Sequence, residues 1–249
     1  MTAPLLEIVG LSRRFRGIVA VDAVDFTVEP GAIHGLIGPN GAGKTTCFNL
    51  ISGLTAADAG RVTLGGTRLD GRPSHARAPA GLARTFQNIR LFGEMSVLEN
   101  TLCGQHVRHL RPPVASEEAL ELLDLVGLSG MAGRQADTLS FGDQRRLEIA
   151  RALASAPKLL LLDEPAAGMN PAETASLAEL LQQIRARGTT LLLVEHDMNF
   201  VMRLCDRITV LNFGRVIAEG GPRAIREDEA VIEAYLGSKL ARQLAGAAP

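Results

Sequence analysis

The chain has 249 residues, of which 46% are hydrophobic and 21% charged, and 26 basic residues nearly balance 27 acidic ones for a net charge of −1. This length allows one large α/β domain or two small ones, and the neutral balance disfavours a protein that coats nucleic acid. No apolar run approaches the roughly 18 to 20 residues that cross a bilayer, and the first residues lack a signal-peptide pattern. These features predict a cytoplasmic protein.

Cysteine and lysine usage adds two observations. The cysteines are few, widely spaced and without a C-x-x-C pair, which predicts a reducing compartment and neither a disulfide framework nor a zinc site: Cys47, Cys103 and Cys205. Lysine is scarce because arginine fills almost every basic position, so each remaining lysine attracts interest: Lys44, Lys158 and Lys239.

The hydrophobic pattern predicts short strands in the first third of the chain, at residues 6–9, 24–28, 33–37 and 61–64. Helical spacing follows at residues 96–107 and 116–126, joined by a loop or linker at 108–113. A helix to about residue 155, a strand at 159–162, a helix at 171–187 and a strand at 191–194 complete the pattern. Aliphatic strands alternating with amphipathic helices predict a parallel sheet covered on both faces. The tail beyond Leu240 is expected to fray.

A glycine-rich segment follows the predicted strand at 33–37 and precedes an apolar-patterned helix: Gly38-Pro39-Asn40-Gly41-Ala42-Gly43-Lys44-Thr45. It matches the phosphate-loop pattern G-x-x-x-x-G-K-[ST] in its strand–loop–helix context. Glycines let main-chain N–H groups wrap a phosphate, Lys44 offers a charge to the β and γ oxygens, and Thr45 offers a ligand to Mg²⁺. A chance glycine-rich turn is the alternative, and the context and the rare lysine disfavour it.

Two acids, Asp163 and Glu164, follow the aliphatic strand predicted at 159–162. Open α/β folds bind ligands at the carboxyl ends of parallel strands. Asp163 can hold Mg²⁺ there, and Glu164 can orient or deprotonate a water molecule. Acids that merely end a strand are the alternative, and the phosphate loop in the same chain disfavours it.

The segment Leu139-Ser140-Phe141-Gly142-Asp143-Gln144 precedes a predicted helix whose apolar side comprises Leu147, Ala150, Leu153 and Ala154. Ser140 and Asp143 have the spacing of a capping box. A helix start with a small hydroxyl residue also predicts an anion site, and this segment brings no phosphate of its own.

The motifs occur in the order found in ATP-binding-cassette ATPases, a family that the chain resembles over nearly its whole length: phosphate loop, residues 139–144, the strand with two acids, and His196 after the next strand. The resemblance implies an α/β P-loop NTPase with a mostly parallel core sheet, an N-terminal antiparallel β subdomain and a helical insert. It implies a single domain in which residues 1–90 and 156–249 form a RecA-like core with the β subdomain, and residues 91–155 form the helical subdomain. It also implies ATP and Mg²⁺ as cofactors, and a head-to-tail dimer.

The resemblance assigns roles residue by residue. Gln87 touches metal and lytic water, Glu164 is the catalytic carboxylate, and His196 senses the γ-phosphate. The implied metal ligands are Thr45, Gln87 and Asp163. Phe15 stacks on adenine, and the remaining nucleotide contacts come from the phosphate loop and from the second chain: Gly38, Pro39, Asn40, Gly41, Ala42, Gly43, Lys44, Thr45, Thr46, Ser140, Gly142 and Gln144.

Alternatives remain for three of these residues. Phe15 can be an ordinary buried aromatic, since an aromatic near a strand end usually belongs to the core. Gln87 can be a surface amide, and His196 can be structural. The other histidines and the three cysteines are interpreted as structural or solvated: His34, His75, His106 and His109.

A finer resemblance lies in residues 83–92, 141–150, 164–171 and 231–237, which are similar to ATPase subunits of branched-chain amino acid importers. It implies a motor subunit for import of these or related amino acids and amides, peripheral on the inner face of the cell membrane. The implied partners are integral membrane permease subunits and, indirectly, a solute-binding protein, with no nucleic acid. The short link near residues 108–116 departs from that family, in the insert where such ATPases meet their membrane subunits.

Two other functions stay open. ATPases that drive lipopolysaccharide extraction have a similar length and a comparable Pro-Ser-His-Ala-Arg stretch, at residues 73–77 here. A soluble non-transport ATPase acting on ribosomes or DNA usually joins two cassettes or inserts a long coiled coil, and the sequence has neither.

Overall fold

The computed structural model describes residues 3–236, so the tail beyond Leu240 lies outside the described residues. The strands are β1 (Leu6–Phe15), β2 (Ile18–Val28), β3 (Ile33–Ile37), β4 (Ala59–Leu64), β5 (Thr67–Arg68), β6 (Leu82–Arg84), β7 (Leu159–Asp163), β8 (Thr190–Val194), β9 (Arg207–Asn212) and β10 (Arg215–Gly220). The α-helices are α1 (Lys44–Ser52), α2 (Val97–Gly104), α3 (Pro112–Leu125), α4 (Phe141–Leu153), α5 (Pro171–Ala186), α6 (Met198–Leu204) and α7 (Pro222–Glu227). Residues 229–236 are also helical.

The first of two compact units comprises residues 3–71 and 192–236. Its antiparallel sheet has the order β2-β1-β4-β5, and β1 pairs with β2 from Leu6 opposite Val28 to Phe15 opposite Ile18. In the same unit β9 runs parallel to β3 and antiparallel to β10. The N-terminal antiparallel sheet agrees with what the family resemblance implies, and the parallel pairing agrees with the sequence pattern.

The second unit comprises Arg72–Leu191. Strands β6 and β7 are parallel, with Leu82 opposite Leu159 and Arg84 opposite Leu161. All five residues of β7 are buried, as expected of an aliphatic strand covered on both faces. Helices α2 to α5 belong to this unit, and β8 spans the residue boundary between the two units.

Most predicted elements are present, but several boundaries differ: β1 and β2 are longer than the strands predicted at 6–9 and 24–28, and one helix begins inside the predicted linker. Helix α3 begins at Pro112, inside the stretch 108–113 that the sequence assigns to a linker. Proline suits the first turn because the N–H that it lacks would have no intrahelical partner there. The sequence also missed β5, β6, β9, β10, α6 and α7. Within residues 3–236, no helix combines the length and apolar character needed to span a membrane.

The buried histidine and cysteines have structural positions. His34 is 1% exposed, and its Nε2 lies 2.8 Å from the Oγ1 atom of Thr209. Cys47 and Cys205 are buried, which raises the pKa of each thiol to about 12, whereas Cys103 is exposed. A thiol with such a raised pKa carries almost no thiolate at neutral pH and is a poor nucleophile.

Candidate functional site

The phosphate loop leaves the buried strand β3 and packs closely against neighbouring main chain. A Cβ atom at Gly38 would lie 2.1 Å from the carbonyl oxygen of Leu211, and one at Gly43 would lie 2.4 Å from that of Ala20. Both glycines also have positive φ, 149° and 101°. Space and backbone conformation therefore both require glycine at these two motif positions.

Helix α1 starts directly after the loop, with the residues best suited to hold a phosphate. Its N-cap is Gly43, which provides no side-chain cap. The Lys44 ammonium donates hydrogen bonds to the carbonyl oxygens of Gly38 (2.8 Å) and Pro39 (3.0 Å). Thr45 is exposed. A helix start without a side-chain cap, a cation and an exposed residue with a hydroxyl group fit a phosphate group with its Mg²⁺.

The remaining loop residues differ in exposure. An open pocket of about 550 Å³ lies beside residues 39–42 and the turn at Phe213. Ala42 is buried, and Pro39 and Thr46 are half-buried, whereas Asn40 and Gly41 are exposed. Exposed main chain at the middle of the loop is what ligand binding through N–H groups needs.

Phe15 and His196 both lie at the surface of the first unit. Phe15 is 41% exposed, and the Arg13 guanidinium lies 4.9 Å from its ring centre. The alternative of a buried core aromatic is therefore wrong. His196 follows β8, with its main-chain N–H donating to the Glu195 carboxylate (3.1 Å) and its imidazole 59% exposed. Both rings are accessible to a ligand.

Asp163, one of the three implied metal ligands, is the buried last residue of β7. Its Oδ2 accepts a hydrogen bond from Nη2 of Arg84 at 2.7 Å, and the two side chains are only 6% and 7% exposed. A buried carboxylate is costly without a partner charge or a metal. Arg84 supplies that charge within the second unit.

Glu164 and Gln87 are brought together in the second unit. The side-chain amide of Gln87 donates to the Glu164 carboxylate, with 2.9 Å between Nε2 and Oε2. Glu164 has a left-handed backbone with φ of 48°. Non-glycine residues rarely adopt this conformation, which costs about 1–3 kcal/mol and concentrates at functional sites. The sequence motif predicts neither the strain nor the contact.

The start of α4 carries the segment predicted to act on a second nucleotide. Ser140 caps the helix: its Oγ accepts from the Asp143 N–H (3.2 Å) and donates to Asp143 Oδ2 (2.7 Å). The reciprocal half of the expected capping box, a carboxylate bond to the Ser140 N–H, is replaced by this hydroxyl contact. Gln144 donates to the Leu139 carbonyl oxygen (3.2 Å), and Gly142 is half-buried. The predicted apolar side is buried: Leu147, Ala150, Leu153 and Ala154.

Sequence reasoning missed three charged residues of this unit. Arg84 contacts Asp163, and the α4 residues Arg145 and Glu148 form an ion pair at 2.8 Å with 0% and 1% of their side chains exposed. The available signal was two opposite charges three residues apart on a helix. That spacing is common on exposed helix faces, so the pattern alone does not indicate burial.

The fold and these residues define a class of protein. A glycine loop between a buried strand and a helix start without a side-chain cap has the features of a phosphate site, and two acids after a second parallel strand are typical of P-loop nucleotide hydrolases. The segment at the start of α4 narrows this class to the ATP-binding-cassette ATPases. Residues 21–167 match the family described as "ABC transporter", and residues 215–241 match "Branched-chain amino acid ATP-binding cassette transporter". The chain belongs to the ABC transporter family.

Individual relatives agree with this assignment over nearly the whole chain. The high-affinity branched-chain amino acid transport ATP-binding protein LivG of Escherichia coli K12 is 47% identical, with 95% of this chain and 99% of LivG covered. The protein of the same description from Pseudomonas aeruginosa, BraF, is 45% identical with the same coverage. The lipopolysaccharide export ATP-binding protein LptB of Haemophilus influenzae is more distant, at 35% over 94% of this chain and 98% of LptB.

A solved structure shows the same fold. The crystal structure of the ADP conformation of MJ1267, an ATP-binding cassette of an ABC transporter, superposes with a TM-score of 0.86 at 32% identity. The match covers 95% of this chain and 100% of MJ1267. The expected α/β ATPase fold of the cassette family is therefore confirmed.

Proposed function

We propose that this chain is the ATP-hydrolysing motor subunit of an importer for branched-chain amino acids or related amino acids and amides. The names of LivG and BraF and the family match over residues 215–241 support this substrate class. The lower identity of LptB makes lipopolysaccharide export the second candidate. The observation that carries the hydrolytic role is the contact between Gln87 and Glu164.

Nucleotide binding falls to the first unit. The phosphate loop and Thr46 hold the phosphates, with Lys44 neutralising the β and γ oxygens, and the exposed ring of Phe15 stacks on adenine. His196 touches the γ-phosphate.

Thr45, Gln87 and Asp163 supply oxygen ligands of the kind that Mg²⁺ prefers, and bound Mg²⁺ would offset the charge that develops on the phosphates.

The two side chains that carry out hydrolysis are Glu164 and Gln87, which are hydrogen-bonded in the second unit. The Glu164 carboxylate accepts a proton from the attacking water, and Gln87 orients that water and the carboxylate through its amide. The strained backbone of Glu164 fixes the direction in which the carboxylate leaves β7. Arg84 holds the Asp163 carboxylate in place through its hydrogen bond, and that carboxylate would be a ligand of bound Mg²⁺.

A second copy or a paralogue completes the nucleotide site. Ser140, Gly142 and Gln144 at the start of α4 would cover the ATP held by the partner's phosphate loop. These contacts require a γ-phosphate, so ATP favours the closed dimer and hydrolysis removes the preference. The division into a RecA-like core and a helical subdomain over 91–155 belongs to the same proposal.

The membrane partners follow from the transport role. Separate integral permease subunits would hold this chain on the inner face of the cell membrane, and a solute-binding protein would deliver the substrate to them. Nucleic acid has no part in the cycle. The surface around Gln87 and the helical insert would transmit the dimer's closure to the permeases.

Uptake by cells tests the proposal. In a first strain the chromosomal gene encodes the Glu164→Gln variant. In a second, control strain it encodes Glu179→Gln, which changes an exposed carboxylate on α5. Uptake of radiolabelled leucine, isoleucine and valine should be lost in the first strain and retained in the second. Unchanged uptake together with lipopolysaccharide retained in the inner membrane would favour the export function instead. Sedimentation of the purified chain with ribosomes and not with membranes would contradict both transport functions.

A further inference from the structure

Helix α4 contains a pair of charges with no access to solvent. Arg145 is 0% exposed and Glu148 is 1% exposed, and Nη1 of Arg145 lies 2.8 Å from Oε2 of Glu148. A buried ion pair gives little net stability compared with well-packed apolar residues of the same size. A role in stability alone therefore explains this pair poorly, and its other contacts become informative.

The other hydrogen bonds described for this pair reach the main chain around Gln87. The Arg145 guanidinium donates to the carbonyl oxygens of Phe86 (2.6 Å, from Nη1) and Gln87 (2.8 Å, from Nη2). The second carboxylate oxygen of Glu148 accepts from the main-chain N–H groups of Phe86 (3.3 Å) and Arg90 (3.4 Å). Two side chains of α4 thus hold residues 86–90 at four main-chain atoms. We call this arrangement the Arg145–Glu148 clamp.

We propose that Arg145 and Glu148 are positioning residues for ATP hydrolysis, which fix the main chain of Gln87 so that its amide reaches Glu164. This inference rests on the hydrolytic function proposed above. Neither residue of the clamp touches the reacting atoms. Its effect on the reaction passes through Gln87 alone.

The chemistry of arginine suits this task. A guanidinium is a rigid planar fork, and here its two outer nitrogens bond to two successive carbonyl oxygens. An ammonium group is a point charge on a flexible stem and would hold the two carbonyls in no fixed relation. The Phe86 side chain is also contacted by Arg84 and Arg90, whose guanidinium carbons lie 5.3 and 4.4 Å from its ring centre. Gln87 is thus an exposed residue of a fixed segment, as are Asn88 and Arg90.

The position of the clamp gives it a second consequence. Helix α4 begins with Ser140 and Gly142, which are proposed to act on the ATP of the partner chain. The same helix is hydrogen-bonded, through Arg145 and Glu148, to the segment that contains Gln87, and Gln87 is proposed to act on the chain's own ATP. A displacement at the start of α4 is therefore transmitted to Gln87 through two buried side chains.

A double-mutant cycle on the purified full-length chain tests the inference. Arg145→Met alone leaves Glu148 buried without a partner, so the variant used is the double replacement Arg145→Met with Glu148→Leu, which keeps the site apolar and filled. Its kcat and KM for ATP are measured with Mg²⁺ in the wild-type and Gln87→Ala backgrounds. In the wild-type background kcat should fall about 10-fold to 100-fold, the size expected of a misplaced catalytic group, with KM nearly unchanged. In the Gln87→Ala background the same replacement should change kcat little, because the clamp acts through Gln87.

Equal losses of kcat in both backgrounds would overturn the inference, because a purely structural role lowers activity regardless of Gln87. Arg145→Lys, which keeps the charge beside Glu148 and loses the fork, should recover less than half of the lost kcat, and full recovery would also contradict the inference. Arg146→Met is the matched control, since that neighbouring arginine bonds instead to the Val126 carbonyl oxygen and the Ser176 hydroxyl. It should lower kcat less than twofold, and a loss as large as that of the clamp variant would count against the clamp. A wild-type chain without ATPase activity would refute the proposed function, whereas an active chain with an additive cycle would refute only the clamp.

Discussion

The amide of Gln87 and the carboxylate of Glu164 are hydrogen-bonded across 77 residues of sequence, with 2.9 Å between Nε2 and Oε2. The register of the sheet explains why they meet. Arg84, at the end of β6, lies opposite Leu161 of the parallel strand β7, and the Thr85 N–H continues the pairing to the Leu161 carbonyl oxygen at 2.9 Å. Residues that follow the two strands therefore emerge at the same edge.

The left-handed backbone of Glu164 should have a measurable cost. Glycine adopts this conformation without a Cβ clash, so Glu164→Gly should be more stable than Glu164→Ala by about 1 kcal/mol in the free energy of unfolding. Glu179, in the interior of α5, is the matched control, and there the glycine variant should be less stable than the alanine variant by about 1 kcal/mol. Urea unfolding of the four variants measures both differences. If glycine were less stable than alanine at position 164 as well as at position 179, the backbone strain inferred at Glu164 would be contradicted.

Lys44 should determine nucleotide affinity. Replacing it by alanine removes the cation proposed for the phosphates and the two hydrogen bonds to the Gly38 and Pro39 carbonyl oxygens. A hydrogen bond to a charged group is worth about 1.5–3 kcal/mol, so the Kd for ATP should rise by about tenfold or more. Lys158→Ala, at an exposed lysine outside the loop, is the control and should bind ATP as the wild type does. Equal affinities of all three proteins in a calorimetric titration would exclude this role for Lys44.

His34 should make stability depend on pH. Burial, assisted by the nearby charge of Arg207, lowers the pKa of its imidazole to about 3 in the folded protein. The unfolded chain has the ordinary histidine pKa of about 6.5, so between these values the unfolded state binds one more proton. The stabilisation is fully present above pH 6.5 and is lost as the pH falls towards 3.

Comparison with His34→Gln isolates this effect. Below pH 6.5 the free energy of unfolding of the wild type should decrease more steeply than that of the variant, by up to about 1.4 kcal/mol per pH unit. His75→Gln, at an exposed histidine, should keep the wild-type profile. Parallel profiles for the wild type and His34→Gln, from urea unfolding at several pH values, would show that His34 does not stay neutral in the fold.

The buried pair of α4 should respond differently to single and double replacement. Arg145→Met leaves the Glu148 carboxylate buried without its partner, which should cost about 3–5 kcal/mol in the free energy of unfolding. Adding Glu148→Leu removes the unpaired charge and should restore most of that loss. Thermal or urea unfolding measures both variants. If the double variant were less stable than Arg145→Met alone, the main-chain hydrogen bonds of Glu148 would contribute more to the free energy of unfolding than its unpaired charge costs.

The sequence predicted those features that depend on local pattern. The phosphate loop was recognisable because its glycines, lysine and threonine have fixed spacing between a strand and a helix, and the acids after β7 stand at the end of an unbroken aliphatic run. Helix α5 matches the helix predicted at 171–187, and it begins at a capping box formed by Asn170 and Glu173.

Features that depend on tertiary contacts escaped prediction. Strand β6 pairs with β7 along all three of its residues, and three residues are too few to give a recognisable strand pattern in the sequence. The burial of Arg145 and Glu148 depends on main-chain partners 58 and 62 residues away, at Gln87 and Phe86. The hydrophobic pattern of α4 does not predict contacts with those main-chain atoms. The sequence pattern assigns Pro112 to a linker, whereas in the structure this proline lies in the first turn of α3, where proline is well tolerated.

The rate of ATP hydrolysis by Glu164→Gln, measured with Mg²⁺ beside the wild-type chain, tests the central claim most directly. A missing general base costs about 100-fold to 10,000-fold in rate, so turnover should fall by at least about 100-fold. ATP binding should be retained, and ATP should hold the variant as a closed dimer in size-exclusion chromatography. Hydrolysis by Glu164→Gln at the wild-type rate would contradict the assignment of Glu164 as the catalytic carboxylate.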